Sequence, residues 1–397
     1  MMPAAPGGAG SAQRRVTVLG ATGSIGRATL DLIAAAPEGS FAVQALVANG
    51  NAVALAEAAR RVRAARAVVA DEAAYAALKE ALAGSGIACA AGQEAVIEAA
   101  TLPADWTMAG IVGAAGLAPT LAAVAQGGLV AVANKECLVC AGAALMASAR
   151  EAGTMLLPVD SEHNAIFQAM DSAGPDGVER IVLTASGGPF WGWSLAEMGQ
   201  ASPAQAVAHP VWRMGAKISV DSATMMNKGL EIIEAAHLFD LEEHRIGVLV
   251  HRQALVHGLV YYGDGSVVAQ MAPPDMHTPI AHTLAWPRRM RVPGARLDLA
   301  AAGQLSFEVP DEARFPALRL ARAALRAGGT APAVLNAANE VAVRLFLDGK
   351  IGFLSIAAMI EAVLDRVEAT EAEDLGAVLA ADEAARAVAE EQAKTFA

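Results

Sequence analysis

Cysteine is scarce in this chain: Cys89, Cys137 and Cys140 are the only three in 397 residues. That count excludes a disulfide framework. Cys137 and Cys140 have CxxC spacing, but no second pair completes a zinc site. Their apolar surroundings point to buried free thiols without a function. Long hydrophobic runs are missing as well. Although 55% of the residues are hydrophobic, no uninterrupted apolar stretch is long enough to span a bilayer. Residues 1–15 contain no apolar signal-peptide core and read as a loose tail, so a cytoplasmic location is expected. The formal net charge of −12 argues against nucleic acid or an anionic membrane as the main partner. Lysine is rare too. Of six, Lys135, Lys217 and Lys228 fall inside polar motifs, where a compact ammonium charge is useful.

The length is enough for two or three domains. Residues 16–19, VTVL, read as a buried strand that runs into Gly20-Ala21-Thr22-Gly23-Ser24-Ile25-Gly26 and then a helix. Strand, glycine turn and helix in this order form the setting of a dinucleotide phosphate site. Gly20 suits a tight turn, Gly23 a close approach to pyrophosphate, and Gly26 close helix–strand packing. The spacing is GxxGxxG rather than GxGxxG, so a non-binding glycine turn stays open as an alternative. A second strand, 41–47, ends in Ala48-Asn49-Gly50-Asn51 without the carboxylate that NAD-binding folds place there, which leans toward NADP. Further βα alternation through residues 129–133 and Asn134-Lys135-Glu136 predicts a parallel sheet covered by helices up to about residue 150.

Two polar segments carry the chemistry. The first, Leu157-Pro158-Val159-Asp160-Ser161-Glu162-His163-Asn164, follows an apolar strand. If the chain stays extended, Asp160 and Glu162 point to the same side, and two carboxylates there call for a hard divalent cation. A turn with a helix-capping Asp or Ser is the alternative. The second segment is VWRMGAKISVDSATMMNKGLE, residues 211–231. It reads as a helix start with Asp221 or Ser222 as N-cap. Asn227 and Lys228 lie four and three residues before Glu231, so all three share one helical face. An anion beside a metal would suit that face; an ordinary solvated helix start is the other reading.

Between these segments, a strand at 181–185 ends in Ser186-Gly187-Gly188, a turn suited to an anion. Residues 187–215 then carry Trp191, Trp193, His209 and Trp212 among Gly and Pro, in the manner of an active-site lid or of a packed surface loop. Strands near 246–251, 254–262 and 266–271 predict an antiparallel sheet, with His257 inside it as a satisfied structural histidine. Residues 296–322 read as a linker. The rest reads as amphipathic helices near 331–347, 354–367 and 372–393, a small bundle.

GATGSIG, ANKE, LPVDSEHNAIFQ, TASGGPF and HPVWRMGAKISVDSATMMNKGLEIIEA together resemble the 1-deoxy-D-xylulose 5-phosphate reductoisomerases, over nearly the whole chain. The resemblance implies an α/β protein. A Rossmann-like NADPH-binding domain covers residues 1–150, and an α+β catalytic and dimerisation domain covers 151–295 with its lid near 187–215. A helical domain follows over 323–397. It implies a homodimer acting on a phosphorylated ketose with NADPH and Mn²⁺ or Mg²⁺. Asp160, Glu162 and Glu231 are then the metal ligands. Lys135, Ser161, Glu162, Ser186, His209, Ser222, Asn227, Lys228 and Glu231 contact substrate, with Trp212 as an apolar cover. Thr22, Gly23, Ser24, Ile25, Gly50, Asn51, Asn134, Glu136 and Gly215 contact NADPH. Lys135, Glu162 and His209 are the candidate catalytic groups. The sequence departs from the family at Gly50, where many members carry a basic residue that would meet the 2′-phosphate. Other NADP oxidoreductases share the glycine motif but do not need Asp160-Ser161-Glu162 together with Asn227-Lys228-Gly229-Leu230-Glu231.

Overall fold

The computed structural model describes residues 13–170, 177–212, 214–372 and 374–396. The expected N-terminal tail lies, but for its last three residues, outside the described residues. The chain forms two compact units. The first comprises the described residues of Met1–Cys137 with Leu145–Asn164 and Asp275–Ala295; the second comprises those of Leu138–Ala144, Ala165–Pro274 and Arg296–Ala397. No helix among the described residues is long and apolar enough to cross a membrane.

Seven parallel strands organise the first unit: β1 (Arg14–Leu19), β2 (Phe41–Ala48), β3 (Arg66–Val69), β4 (Ala88–Ala91), β5 (Trp106–Ala109), β6 (Leu129–Val132) and β7 (Met155–Pro158). Their order is β4-β3-β2-β1-β5-β6-β7. Nearly continuous apolar strands such as Val16–Leu19, buried throughout, are what a parallel sheet covered on both faces requires. From β1 the chain winds outward to β4, then returns to β5 and winds the other way. The carboxyl ends of β1 and β5 therefore form a switch point, where such sheets bind ligands.

The glycine turn sits at that point. Gly20 adopts φ +88°, and a Cβ there would lie 2.4 Å from the Gly110 carbonyl oxygen. Gly26 opens the helix Ser24–Ala35 so close to the turn that a Cβ would lie 2.2 Å from the Gly20 oxygen. The roles read for Gly20 and Gly26 from their spacing are the ones the backbone gives them.

The second unit is built on β8 (Val178–Ala185), β9 (Ile246–Val250), β10 (Val256–Tyr262) and β11 (Val267–Met271), in the order β11-β10-β8-β9. The expected antiparallel sheet needs one correction. β10 runs antiparallel to β8 and β11, but β8 and β9 are parallel. These two are joined by a long helical crossover, the kind of connection a parallel pair needs.

Helices Ala317–Ala327, Ala331–Leu347, Ser355–Arg366 and Leu375–Phe396 belong to the same unit. The stretch expected as a linker already holds the turn of helix Leu299–Ala302 and the start of Ala317–Ala327. Ala331–Leu347 is buried nearly all round, so it is the core element against which its neighbours turn their apolar faces.

The Gly26 contact is backbone against backbone and cannot relax by a side-chain rotation. Gly26→Ala should therefore lower the unfolding free energy by about 1–3 kcal/mol. Urea unfolding checks this, and an unchanged midpoint would contradict the close-packing role.

Candidate active site

In the first unit, Gly23 precedes the helix Ser24–Ala35 in an extended conformation (φ −73°, ψ 173°), and no side chain among the described residues caps that helix. The amides of Ser24 and Ile25 thus belong to the uncapped first turn of a helix at the switch point, which suits a pyrophosphate. Asn134 caps the helix Lys135–Ala152. Its Oδ1 accepts from the Cys137 amide at 3.3 Å, and its Nδ2 donates to the carbonyls of Ile111 and Gly113. The loop after β5 is held in place by this side chain. Cys137 and Cys140 are buried and not in a disulfide. Asn51 caps the helix Ala52–Arg61 by accepting from the Ala54 amide at 3.1 Å. Gly50 beside it is exposed, and a Cβ there would lie 3.2 Å from Asp71 Oδ2. No carboxylate follows β2 in sequence, but the fold supplies one from the end of β3. Nothing local to Gly50 signals it.

The expected extended run from Asp160 to Glu162 does not form. β7 stops at Pro158 and a helix, Ser161–Ala169, starts three residues later. Asp160 Oδ1 accepts from the backbone amides of Glu162 (3.1 Å) and His163 (3.4 Å), the geometry of a helix-capping aspartate. Capping satisfies amides that an extended chain would leave unpaired, and proline at the strand end cannot donate to a ladder. Asp160 also meets the Lys135 ammonium through Oδ2 and the His163 Nδ1 at 3.0 Å. The Ser161 hydroxyl donates to Glu162 Oε2 at 2.6 Å. Asp160, Ser161 and Glu162 are therefore gathered on one turn at the carboxyl end of the sheet, with Lys135 reaching Asp160 from the start of the helix Lys135–Ala152.

Below this turn lies a contact that sequence reading missed. Asn164 Nδ2 donates to the Pro158 carbonyl at 2.8 Å and lies 3.1 Å from His282 Nδ1, a residue 118 positions away. Burial, with a smaller push from the Arg289 charge, lowers the His282 pKa to about 4.

In the second unit, Ser186 directly follows β8. Gly188 lets the following turn lie against the helix Ala216–Thr224, since a Cβ there would be 2.7 Å from the Ser222 carbonyl oxygen. His209 Nδ1 accepts from the amides of Trp212 (2.8 Å) and Val211 (3.2 Å). Its Nε2–H therefore faces Ser186 Oγ at 2.8 Å, and burial lowers its pKa, which keeps the ring neutral.

Asp221 and Ser222 do not cap a helix start. The helix already begins after Gly215, and Met225 in the left-handed region (φ 64°) ends it before Met226–Phe239 begins. Asp221 is instead buried, paired with Lys217 and accepting from Asn339 Nδ2 at 2.9 Å. The shared face of the next helix is real: Asn227 Nδ2 and the Lys228 ammonium both donate to the fully buried Glu231 carboxylate. Asn227 Oδ1 is buried with no partner among the described residues. The proposed lid is anchored over its first half. Phe190 and Trp191 are buried, Trp191 stacks on Phe315 at 5.6 Å, and helices Leu195–Met198 and Pro203–Ala206 carry capping boxes. Trp212 is half-buried, its ring 6.2 Å from that of His257, whose Nε2 meets the Ala272 carbonyl at 3.1 Å.

Three family descriptions match the chain: 1-deoxy-D-xylulose 5-phosphate reductoisomerase over residues 16–142, its C-terminal domain over 156–239, and a further DXP reductoisomerase C-terminal domain over 271–388. The 1-deoxy-D-xylulose 5-phosphate reductoisomerase of Rhodospirillum centenum is 60% identical over 382 residues, 96% of this chain and 95% of that protein. The chain belongs to the 1-deoxy-D-xylulose 5-phosphate reductoisomerase family. The solved reductoisomerase of Zymomonas mobilis in complex with NADPH is 54% identical and superposes with a TM-score of 0.93, covering 96% of this chain and 100% of that one. A second reductoisomerase structure, in complex with NADPH, fosmidomycin and magnesium, is 41% identical with a TM-score of 0.91, covering 96% and 98%. Two contacts stand out in this chain: Asp71 lies beside Gly50, and His282 lies beneath the carboxylate turn.

His282 also makes stability depend on pH. Its folded pKa is about 4 against an ordinary 6.5, so the unfolded chain binds the extra proton between these values. Stability from this group is complete above about pH 6.5 and lost as pH falls through about 4, a change of roughly 3 kcal/mol. Urea unfolding across this range should show a shallower pH slope for His282→Gln than for the wild type. Equal slopes would contradict the assignment.

Proposed function

We infer that this protein converts 1-deoxy-D-xylulose 5-phosphate to 2-C-methyl-D-erythritol 4-phosphate, using NADPH and a divalent metal, for isoprenoid precursor synthesis. The supporting observation is that a family member with full-length similarity carries Asp160 and Glu162 with Lys135 in one unit and Glu231 with Lys228 in the other. The donors suit a hard cation: Asp160 and Glu162 offer carboxylate oxygens on one turn, and Glu231 offers a third. A Mn²⁺ or Mg²⁺ ion there supplies Lewis-acid polarisation of the ketose oxygens, and NADPH supplies the hydride.

The chain's own residues divide the remaining work. Asp160 is oriented by its capping bonds, and Ser161 directs Glu162. Lys135 and Glu162 are the groups placed to handle protons. The Ser186 hydroxyl takes the His209 Nε2–H and the Gly188 amide, which leaves its own O–H to point at an anion. With Ser222, Asn227 and Lys228 it forms the proposed phosphate anchor, whose binding energy supports reaction at the far end of the substrate. Lys228 is held by Glu231, so it reaches a phosphate only by sharing or leaving that carboxylate. Residues 207–215, with Trp212, are the part of the segment proposed to close over substrate.

The proposed NADPH contacts are Thr22, Gly23, Ser24, Ile25, Gly50, Asn51, Asn134, Glu136 and Gly215. A homodimer is proposed through the exposed edge of β11, where Val267 and Val268 face outward. A cytoplasmic location completes the reading.

Asp160→Asn or Glu231→Gln should lower kcat by at least about a thousandfold, because the Lewis acid is lost or misplaced. Steady-state NADPH oxidation checks this, and near-normal turnover in either variant would remove the metal assignment. At the cofactor end, NADPH should be preferred over NADH. Gly50→Lys alone should raise that preference only slightly, because Asp71 captures the new ammonium. Adding Asp71→Asn should release it to the 2′-phosphate and raise the ratio of kcat/KM values about tenfold or more. Equal ratios for the single and double variants would contradict the Asp71 contact.

A further inference from the structure

We propose that His282 is a positioning residue for the metal-binding turn, acting through the side-chain amide of Asn164. This rests on the reading above that Asp160 and Glu162 hold the divalent ion.

The turn between β7 and the helix Ser161–Ala169 is short, and Asn164 spans it from the helix side back to Pro158. A backbone carbonyl can only accept, so the atom 2.8 Å from the Pro158 oxygen must be the NH₂ of Asn164. The same nitrogen lies 3.1 Å from His282 Nδ1. That ring atom must therefore be the unprotonated one. Both hydrogens of the amide are committed, one to each end of the clamp.

Asn164 is 1% exposed and His282 6%, so water does not readily replace either partner. The support under His282 is rigid. Its ring stands edge-on to Trp286 at 5.4 Å, and Arg14 from β1 donates to the carbonyls of Leu284 and Trp286 at the end of the helix His277–Ala285. Burial and the Arg289 charge keep the ring neutral through the working range of pH.

The consequence is felt one turn above. Asp160 Oδ1 is bound to two amides of this turn, so the direction of Oδ2 follows the turn's backbone. Glu162 lies in the same first helical turn. If the Asn164 amide loses its acceptor on His282, it can rotate away from Pro158. The spacing of the two carboxylates is then no longer held. Outer groups that orient metal ligands in this way typically change metal affinity by about 10–100-fold when removed.

The test measures Mn²⁺ affinity by the paramagnetic resonance of free Mn²⁺, with NADPH affinity by fluorescence titration and thermal melting alongside. His282→Leu should weaken Mn²⁺ binding at least about tenfold while NADPH affinity stays within about twofold. His282→Gln, whose side-chain oxygen can accept from Asn164, should recover most of the loss. Asn164→Asp replaces the donor by an acceptor and should weaken Mn²⁺ binding like His282→Leu, which keeps the proposal testable if the leucine variant does not fold. Wild-type Mn²⁺ affinity in either His282→Leu or Asn164→Asp overturns it, as does a glutamine variant no better than leucine. Asp160→Asn separates the two levels. If it loses Mn²⁺ while His282→Leu does not, only the positioning role fails; if it keeps Mn²⁺, the metal assignment itself fails.

Discussion

A carboxylate taken out of water needs a cation, and in each unit a lysine meets that requirement. Asp160, largely buried, is paired with Lys135 in the first unit, and Glu231, fully buried, is paired with Lys228 in the second. Removing one partner of such a pair leaves an uncompensated charge and is strongly destabilising, so both lysines have a structural role. In the proposed reading, the oxygens that accept these ammonium groups are also those assigned to the metal. Metal binding and the release of lysine toward substrate are then two sides of one exchange of cations. A chain with only six lysines places two of them at these carboxylates.

Two neutral histidines, one in each unit, act in another way. His209 accepts backbone amides on one nitrogen and so presents its other N–H to Ser186, while His282 accepts from Asn164. In each case burial suppresses protonation, and a hydrogen bond to one ring nitrogen decides what the other offers. These rings act as oriented dipoles in the free protein. Cations are left to the lysines.

What was legible in the sequence was what local geometry decides. The glycine turn is readable because its spacing directly specifies a strand–turn–helix path, and Asn227, Lys228 and Glu231 are readable because three- and four-residue spacing defines a helical face. The parallel sheet follows from apolar strands alternating with helices. The reading failed where a boundary hung on a single residue. Asp160 caps a helix instead of continuing the strand, and Met225 takes a left-handed conformation that glycine normally signals, which moves Ser222 into the preceding helix. It was silent on contacts made by distant segments. Asp71 beside Gly50 and His282 beneath Asn164 carry no local signature, since each depends on how whole strands and helices are laid side by side.

The central claim is that this chain isomerises and reduces a phosphorylated ketose with metal and NADPH together. The most direct test follows NADPH oxidation by the full-length protein with 1-deoxy-D-xylulose 5-phosphate and Mn²⁺, with and without a chelator, and identifies the product. The account predicts NADPH consumption that requires both ketose phosphate and metal, yielding the branched 2-C-methyl-D-erythritol 4-phosphate. Oxidation that persists in the chelator, or a straight-chain product, would contradict it.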